Sequence, residues 1–366
     1  DRKPITASRV TLEMPPYEIE SGIRLEELPA RPPHLRTSPR PFIEVRYTLE
    51  ERWDHLEIET VYVNPTDHPF PFTPSLSLRV DDPCFSGLHF DNRLFWIYEP
   101  WWGQAIGVWS QDAPWNPDGI RPPRHPLALR PPDSRGWILP PQGRIRFVFR
   151  LLPAANLFDL LALAAPWADE TPHTLDLRVR ASDGPVSKAD VHLLRNGVLI
   201  GAGRTDSNGL LRLSIPRNEP GTLQISPFGR PAIERTLSPE NMASGKMEIE
   251  SVPAPRFRLF VQDERGNPLP ARVTFQGLND TPNPFFFPPT GEFRVRNILH
   301  NHDGRFDEIV PPGRYRLVVS HGPEYHAEWR EFLFSSGETI SWTCTLRRAY
   351  TTPGWISADL HNHATR

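Results

Sequence analysis

The sequence predicts a mainly β protein, with a Trp-rich N-terminal β-sandwich, two small β-sandwiches after it, and the opening strand of a further domain at the end. Three observations carry this. Proline is dense, with 44 among 366 residues, about twice the usual ~5%. Its blocks, such as RPPH, RPPRHP and FFFPP, separate Val-, Ile-, Thr- and Phe-rich runs. Because proline removes a backbone donor and is excluded from helix interiors, this density favours strands with rigid, irregular connections. Period-two alternation recurs through the first part, and a repeat occupies the second.

Residues 1–170 form the Trp-rich part. In IEVRYTLEERWDHLEIETVYV, Leu56, Ile58, Thr60 and Tyr62 share one face of a predicted strand. After RIRFVFRLL comes PAANLFDLLALAAPWADE, the one predicted helix, apolar nearly all round and so expected to lie buried against the sheets. Between them, FWIYEPWWGQAIGVWSQDAPWN carries Trp96, Trp101, Trp102, Trp109 and Trp115. Exposed, such rings make a stacking platform for sugars, with Trp96, Trp101 and Trp102 as its expected ligand-binding residues; buried, they are core with satisfied indole N–H groups.

Composition changes near residue 174. DLRVRASDGPVSKADVHLL followed by TDSNGLLRLSIP aligns with FRLFVQDERGNPLPARVTF followed by NHDGRFDEIVPPGRYRLVV. Each copy reads strand, Asp/Gly turn, Pro, Ala at the next strand, then a polar-Gly turn and another strand. The copies span 174–252 and 255–348, and they resemble the carboxypeptidase regulatory-like, transthyretin-type sandwich that accompanies many exported enzymes. That resemblance implies an accessory module and no catalytic residues.

The tetrapeptide LHNH occurs twice. The repeat places Leu299 to Gly304 opposite Arg204 to Gly209, so His300 and His302 sit where a strand enters an Asp-Gly turn, a hairpin rim that needs no metal. His321 and His326 flank a turn, and His34, His55, His68, His89 and His125 read as scattered singletons. The second copy lies in GWISADLHNHATR, where residues 354–366 open a new domain. On a continuing strand Asp359, His361 and His363 share a face, the histidines ~6–7 Å apart, and two neutral imidazoles so placed can converge on a metal ion.

GWISADLHNHA resembles the first motif of the PHP (polymerase and histidinol phosphatase) metallohydrolases, of the CehA/McbA kind. The resemblance implies that the motif ends the first strand of a (β/α) barrel otherwise missing from the chain. His361 and His363 would be metal ligands, and Asp359 would orient one of them by a hydrogen bond. It further implies divalent zinc, manganese or iron, and hydrolysis of small-molecule ester, carbamate or phosphoester bonds. The family's later ligands have no counterpart before Arg366, so the chain reads as truncated at the first metal motif and inactive alone. The competing reading is an exported, periplasmic or extracellular, multi-domain protein that binds polysaccharide through the Trp-rich domain.

Charge and motifs exclude other classes. Lys and Arg total 41 against 44 Asp and Glu, which offers no footprint for nucleic acid. The apolar run at 157–167 is too short for a membrane span and carries Asp159. Cys84 and Cys344 allow at most one bridge. No G-x-S-x-G elbow or phosphate-cradling G-x-x-x-x-G-K-[ST] loop is present.

Overall fold

A computed structural model describes residues 9–18, 40–50, 53–74, 76–78, 85–100, 102–111, 116–118, 127–130, 137–215, 221–286 and 297–354. It is mainly β and built of stacked sheets, with no barrel among the described residues. Cys84 and the predicted barrel strand at 355–366 lie outside them.

The alternating N-terminal runs pair into a seven-stranded antiparallel sheet. Its order is β1 (Arg9–Glu18), β2 (Phe42–Glu50), β3 (Leu56–Val63), β12 (Arg144–Ala154), β8 (Gln104–Ser110), β7 (Leu94–Glu99) and β6 (Phe85–His89). Two short sheets accompany it, β5 (Leu76–Leu78), β10 (Leu127–Arg130), β9 (Asn116–Asp118) and β11 (Trp137–Leu139), β4 (Phe70–Phe72). Register sets Ile58 opposite Phe149 and Thr60 opposite Phe147. Ile58 and Tyr62 therefore join Phe72, Phe147 and Phe149 in one apolar core, with Leu56 at its margin.

The other face of β7 and β8 is covered by α1 (Leu157–Ala164), which runs on into a 3-10 turn, Ala165–Ala168. Asn156 starts the helix as its cap, accepting the Asp159 N–H at 2.9 Å. Apolar residues all round the helix have two destinations. Leu157, Leu160, Leu161 and Ala164 pack with Leu94, Trp96 and Trp109, whereas Phe158 enters the core of the next unit.

That unit is a sandwich. One sheet is β14 (Gly184–Pro185), β13 (His173–Ala181), β17 (Leu210–Ile215), with β20 (Lys246–Glu250) parallel to β13. The other is β16 (Val198–Arg204), β15 (Asp190–Arg195), β18 (Gly221–Ser226), β19 (Ile233–Leu237), and a single turn, α2 (Pro239–Ala243), leads into β20. The third unit repeats the plan. One sheet is β24 (Arg305–Ile309), β21 (Arg256–Gln262), β27 (Thr339–Thr345), with β27 parallel to β21. The second sheet is β23 (Ile298–Asn301), β22 (Ala271–Gly277), β25 (Gly313–Ser320), β26 (Glu328–Phe334).

The aligned glycines are equivalent down to one hydrogen bond. The Val179 N–H donates to Gly209 O at 2.8 Å, and the Val261 N–H donates to Gly304 O at 2.8 Å. Both glycines have positive φ, +73° and +69°. A β-carbon would stand 2.2 Å from Val179 O at position 209, and 2.6 Å from Val261 O at 304. Gly209→Ala is expected to cost about 2 kcal/mol through the left-handed backbone and the carbonyl clash, read as a lowered urea midpoint. A change below the resolution of the melt would mean that the turn relaxes freely.

Candidate functional site

The Trp-rich segment divides between core and surface. Trp96 and Trp109 are each 2% exposed, while Trp102 is 69% exposed; Trp101 and Trp115 lie outside the described residues. A three-ring platform including Trp96 is therefore corrected. On β7 its side chain points at α1, stacked on His89 at 6.2 Å, and it has no ring face to offer a ligand. Its indole N–H has no acceptor among the described residues. Trp109 starts a ladder that runs outward through half-buried Trp167 (5.8 Å) and His55 (5.0 Å) to Trp53 (4.7 Å). Arg150 caps Trp167 from 4.7 Å. Burial, then the Arg150 charge, hold the His55 imidazole below its ordinary proton affinity.

Trp102 owes its position to a tight turn between β7 and β8. Glu99 and Gln104 pair across the strand ends. The Gly103 N–H donates to Glu99 O at 3.0 Å, with Gly103 at φ +71°. The Trp102 N–H donates to the Glu99 carboxylate at 2.7 Å. The second unit then clamps the turn. Arg204 on β16 donates to Pro100 O and to Asp190 Oδ1, the latter at 2.6 Å. Tyr98 behind the turn is buried, which pushes its phenol up to about 12 despite the nearby Arg204 charge. An exposed indole is thus carried on a turn that Glu99 holds from within the hairpin and Arg204 from the next unit.

A second exposed indole, Trp329 on β26, is 60% exposed and lies under the Arg316 guanidinium at 4.8 Å. Sequence reasoning missed it because EWREFLF is apolar on both faces: Phe332 and Phe334 point into the core, Trp329 and Leu333 outward.

His361, His363 and Asp359 lie outside the described residues. Among the described residues no group of three or more His, Cys, Asp or Glu side chains is arranged to hold a metal ion. Cys344 is a free, buried thiol pushed up to about 12, first by burial and then by Glu328.

No family model matches the chain, and no curated protein matches it. Solved structures that match include the Bacillus anthracis TIE protein, at 10% identity and TM-score 0.21, covering 95% of this chain and 59% of that one. GBS52, the minor pilin of Streptococcus agalactiae, matches at 12% identity and TM-score 0.25, covering 51% of this chain and all of the pilin. A C-terminal fragment of the pilus adhesin SpaC from Lactobacillus rhamnosus GG matches at 11% and 0.21, covering 50% and 100%. The chain spans 59% of the length of the TIE protein. Superposition this loose carries no assignment of function. The expected kinship with PHP metallohydrolases is nonetheless corrected: neither a family model nor a curated relative supports it. A motif of a few residues specifies too little of a chain to carry a family by itself. The hydrolase activity and metal ligation that the resemblance implied go with it. What stands is a multi-domain β-sandwich protein, with no helix among the described residues long and apolar enough to cross a membrane.

Proposed function

We propose that the chain is an exported β-sandwich protein that binds carbohydrate through its first domain, with Trp102 as the stacking residue. The observation that carries this reading is an indole 69% exposed on a turn closed from both sides, by Glu99 within the hairpin and by Arg204 from the next unit. Exposing a large apolar ring has a cost in water, and holding it rigid lowers the entropy lost when a flat ligand stacks on it. The Glu99 carboxylate and the Arg204 guanidinium that hold the same turn are groups of the kind that hydrogen-bond sugar hydroxyls. Export fits tandem sandwiches, an architecture common in cell-surface proteins. Residues 1–170, 174–252 and 255–348 act as three domains in this reading.

The test is titration of intrinsic fluorescence and of heat against a panel of neutral and acidic polysaccharides. Trp102→Ala is expected to weaken binding at least about ten-fold, equivalent to ~1.4 kcal/mol, while Trp329→Ala leaves it unchanged. Absence of binding across the panel, or equal loss in both variants, overturns the proposal.

A further inference from the structure

We propose that the groove at one end of the third unit's outer sheet face, between Arg272, His300, His302 and His321, is a binding site for an oxyanion: a sulfate, phosphate or carboxylate group. The site is independent of Trp102 and of carbohydrate binding.

Strand register assembles it. Arg272 on β22 lies directly opposite His300 on β23 and opposite Ser320 on β25. Residues so paired share one face of a sheet, with β-carbons ~5 Å apart. His302 follows in the turn after β23, and His321 follows β25. Together with Asn301 these side chains line an open groove of about 540 Å³, and no carboxylate is among its lining residues. Further along the same face, Arg314 and Arg316 are both bound by Glu331, at 3.2 and 2.9 Å. Arg272 has no ion-pair partner among the described residues, so the groove holds an unneutralised guanidinium flanked by imidazoles.

This composition selects an anion over a metal. A guanidinium on the same face repels a divalent cation, whereas it presents a fork of donors suited to paired oxygens. Imidazole, hydroxyl and amide groups around it add donors. His321 Nδ1 meets the Pro270 carbonyl, so the proton lies on Nδ1 and Nε2 becomes a second donor only when the ring is protonated.

Charge in the groove is pH-dependent. His300 is held below its ordinary proton affinity by burial first, then by Arg272 and His302. His300 also lines the cleft toward the second unit with Lys188, Arg256, Asp307 and Glu308, where Asp307 is paired with Arg256 and Arg258. Glu324, which senses His321, is held by Arg348 at 2.7 Å and by Thr352. Asp303 accepts the Arg305 N–H at 2.9 Å. A bound anion relieves the repulsion on His300 and raises its proton affinity, and by reciprocity falling pH strengthens anion binding.

Calorimetric titration with sodium sulfate at pH 5.5 and pH 8.0 tests this, because sulfate is a dianion at both. Binding is expected to be several-fold tighter at pH 5.5, with about ten-fold as the ceiling for one histidine shifted by about one unit. Arg272→Gln, on an exposed side chain, is expected to abolish binding at both pH values with an unchanged melting temperature. His300→Gln is expected to flatten the pH dependence. Dextran sulfate, with neutral dextran as blank, separates the sources. A polymer response without an inorganic sulfate response assigns the site to a polymer-borne group, and comparable responses per sulfate assign it to the free ion. Equal binding by wild type and Arg272→Gln, no dependence on pH, or stoichiometric zinc binding without sulfate binding overturns the proposal.

Discussion

Replacing Phe158 by alanine is expected to lower stability by about 3–5 kcal/mol and to separate the melting of the first two units. The side chain is fully buried, yet it belongs to a helix whose other buried residues cluster mainly with the first unit's sheet, with Ala202 of β16 beside them. Phe158 alone crosses into the second unit's core, among Leu175, Leu177, Val191 and Leu213. Gly201 on β16 admits the ring: a β-carbon there would stand 2.3 Å from it. Gly107 does the same on the other side, where a β-carbon would stand 2.7 Å from Leu160. Two glycines thus let one short helix lie against strands of two units. Truncating the ring opens a cavity in the second core and weakens a join that Arg204 on Pro100 O and His89 on Ile200 O also carry. Scanning calorimetry is expected to resolve two transitions where the wild type shows one. Phe158→Leu, which keeps much of the volume, is expected to cost less than half as much. A loss below about 1 kcal/mol, or one undivided transition in Phe158→Ala, would show that the helix is not a shared element.

The second large effect concerns the join between the second and third units. Arg230 donates to both oxygens of Asp183, at 3.0 and 2.8 Å, and to Val252 O in the connecting segment. Asp183 also accepts the Ala254 N–H at 3.3 Å. The guanidinium is only 5% exposed and the carboxylate 37%. Breaking a buried, forked pair from one side leaves an unpaired charge, and the partial exposure of Asp183 discounts the loss to about 2–3 kcal/mol for Arg230→Ala. Cleavage at residues 251–255 under limited proteolysis is expected to accelerate with it. Beside the clasp, Phe228 and Phe286 meet across the same join at 5.8 Å, next to a cleft of about 750 Å³.

The clasp also has a pH signature. Burial pushes the Asp183 carboxyl up, but hydrogen bonds from Arg230 and Ala254 and the Arg230 charge outweigh it and hold the group below its ordinary value of 3.8. A depressed carboxyl stabilises the fold above its unfolded pKa and ceases to do so as pH falls through the folded one. The contribution is therefore complete above about pH 5 and fades below about pH 4. Arg230→Ala is expected to remove that part of the acid limb, and Arg230→Lys, which keeps charge without the fork, to restore only part of it. An unaltered acid limb in Arg230→Ala would count against the clasp.

The sequence was legible wherever a local pattern had one physical solution. Alternation placed Ile58 and Tyr62 inside, because a strand has only two faces. The polar-Gly turns, Asn208-Gly209 and Asp303-Gly304, aligned the two glycines, because only glycine tolerates both the positive φ and the adjacent carbonyl. The nearly all-apolar stretch after Pro153 announced a buried helix. It did not announce that Phe158 and Leu160 would enter different cores, since a ring of apolar residues names no partners. Nor did spacing place Trp96 inside and Trp102 outside, because a tryptophan suits either a core or a ligand platform. The short LHNH resemblance misled for a related reason: few residues are asked to stand for a whole fold.

By itself, then, the chain determined its class: strands by alternation and proline, two sandwich copies by turn chemistry, a helix by composition. Tertiary structure decided what pairs across distance. Parallel closing strands β20 and β27, the Arg204 clamp on the Trp102 turn and the Arg230–Asp183 clasp join residues far apart in sequence. So does the meeting of His321 with His300 and Arg272, which strand register alone brings to one face. Local propensity acts over a few residues, whereas strand order is set by which apolar faces can be covered together.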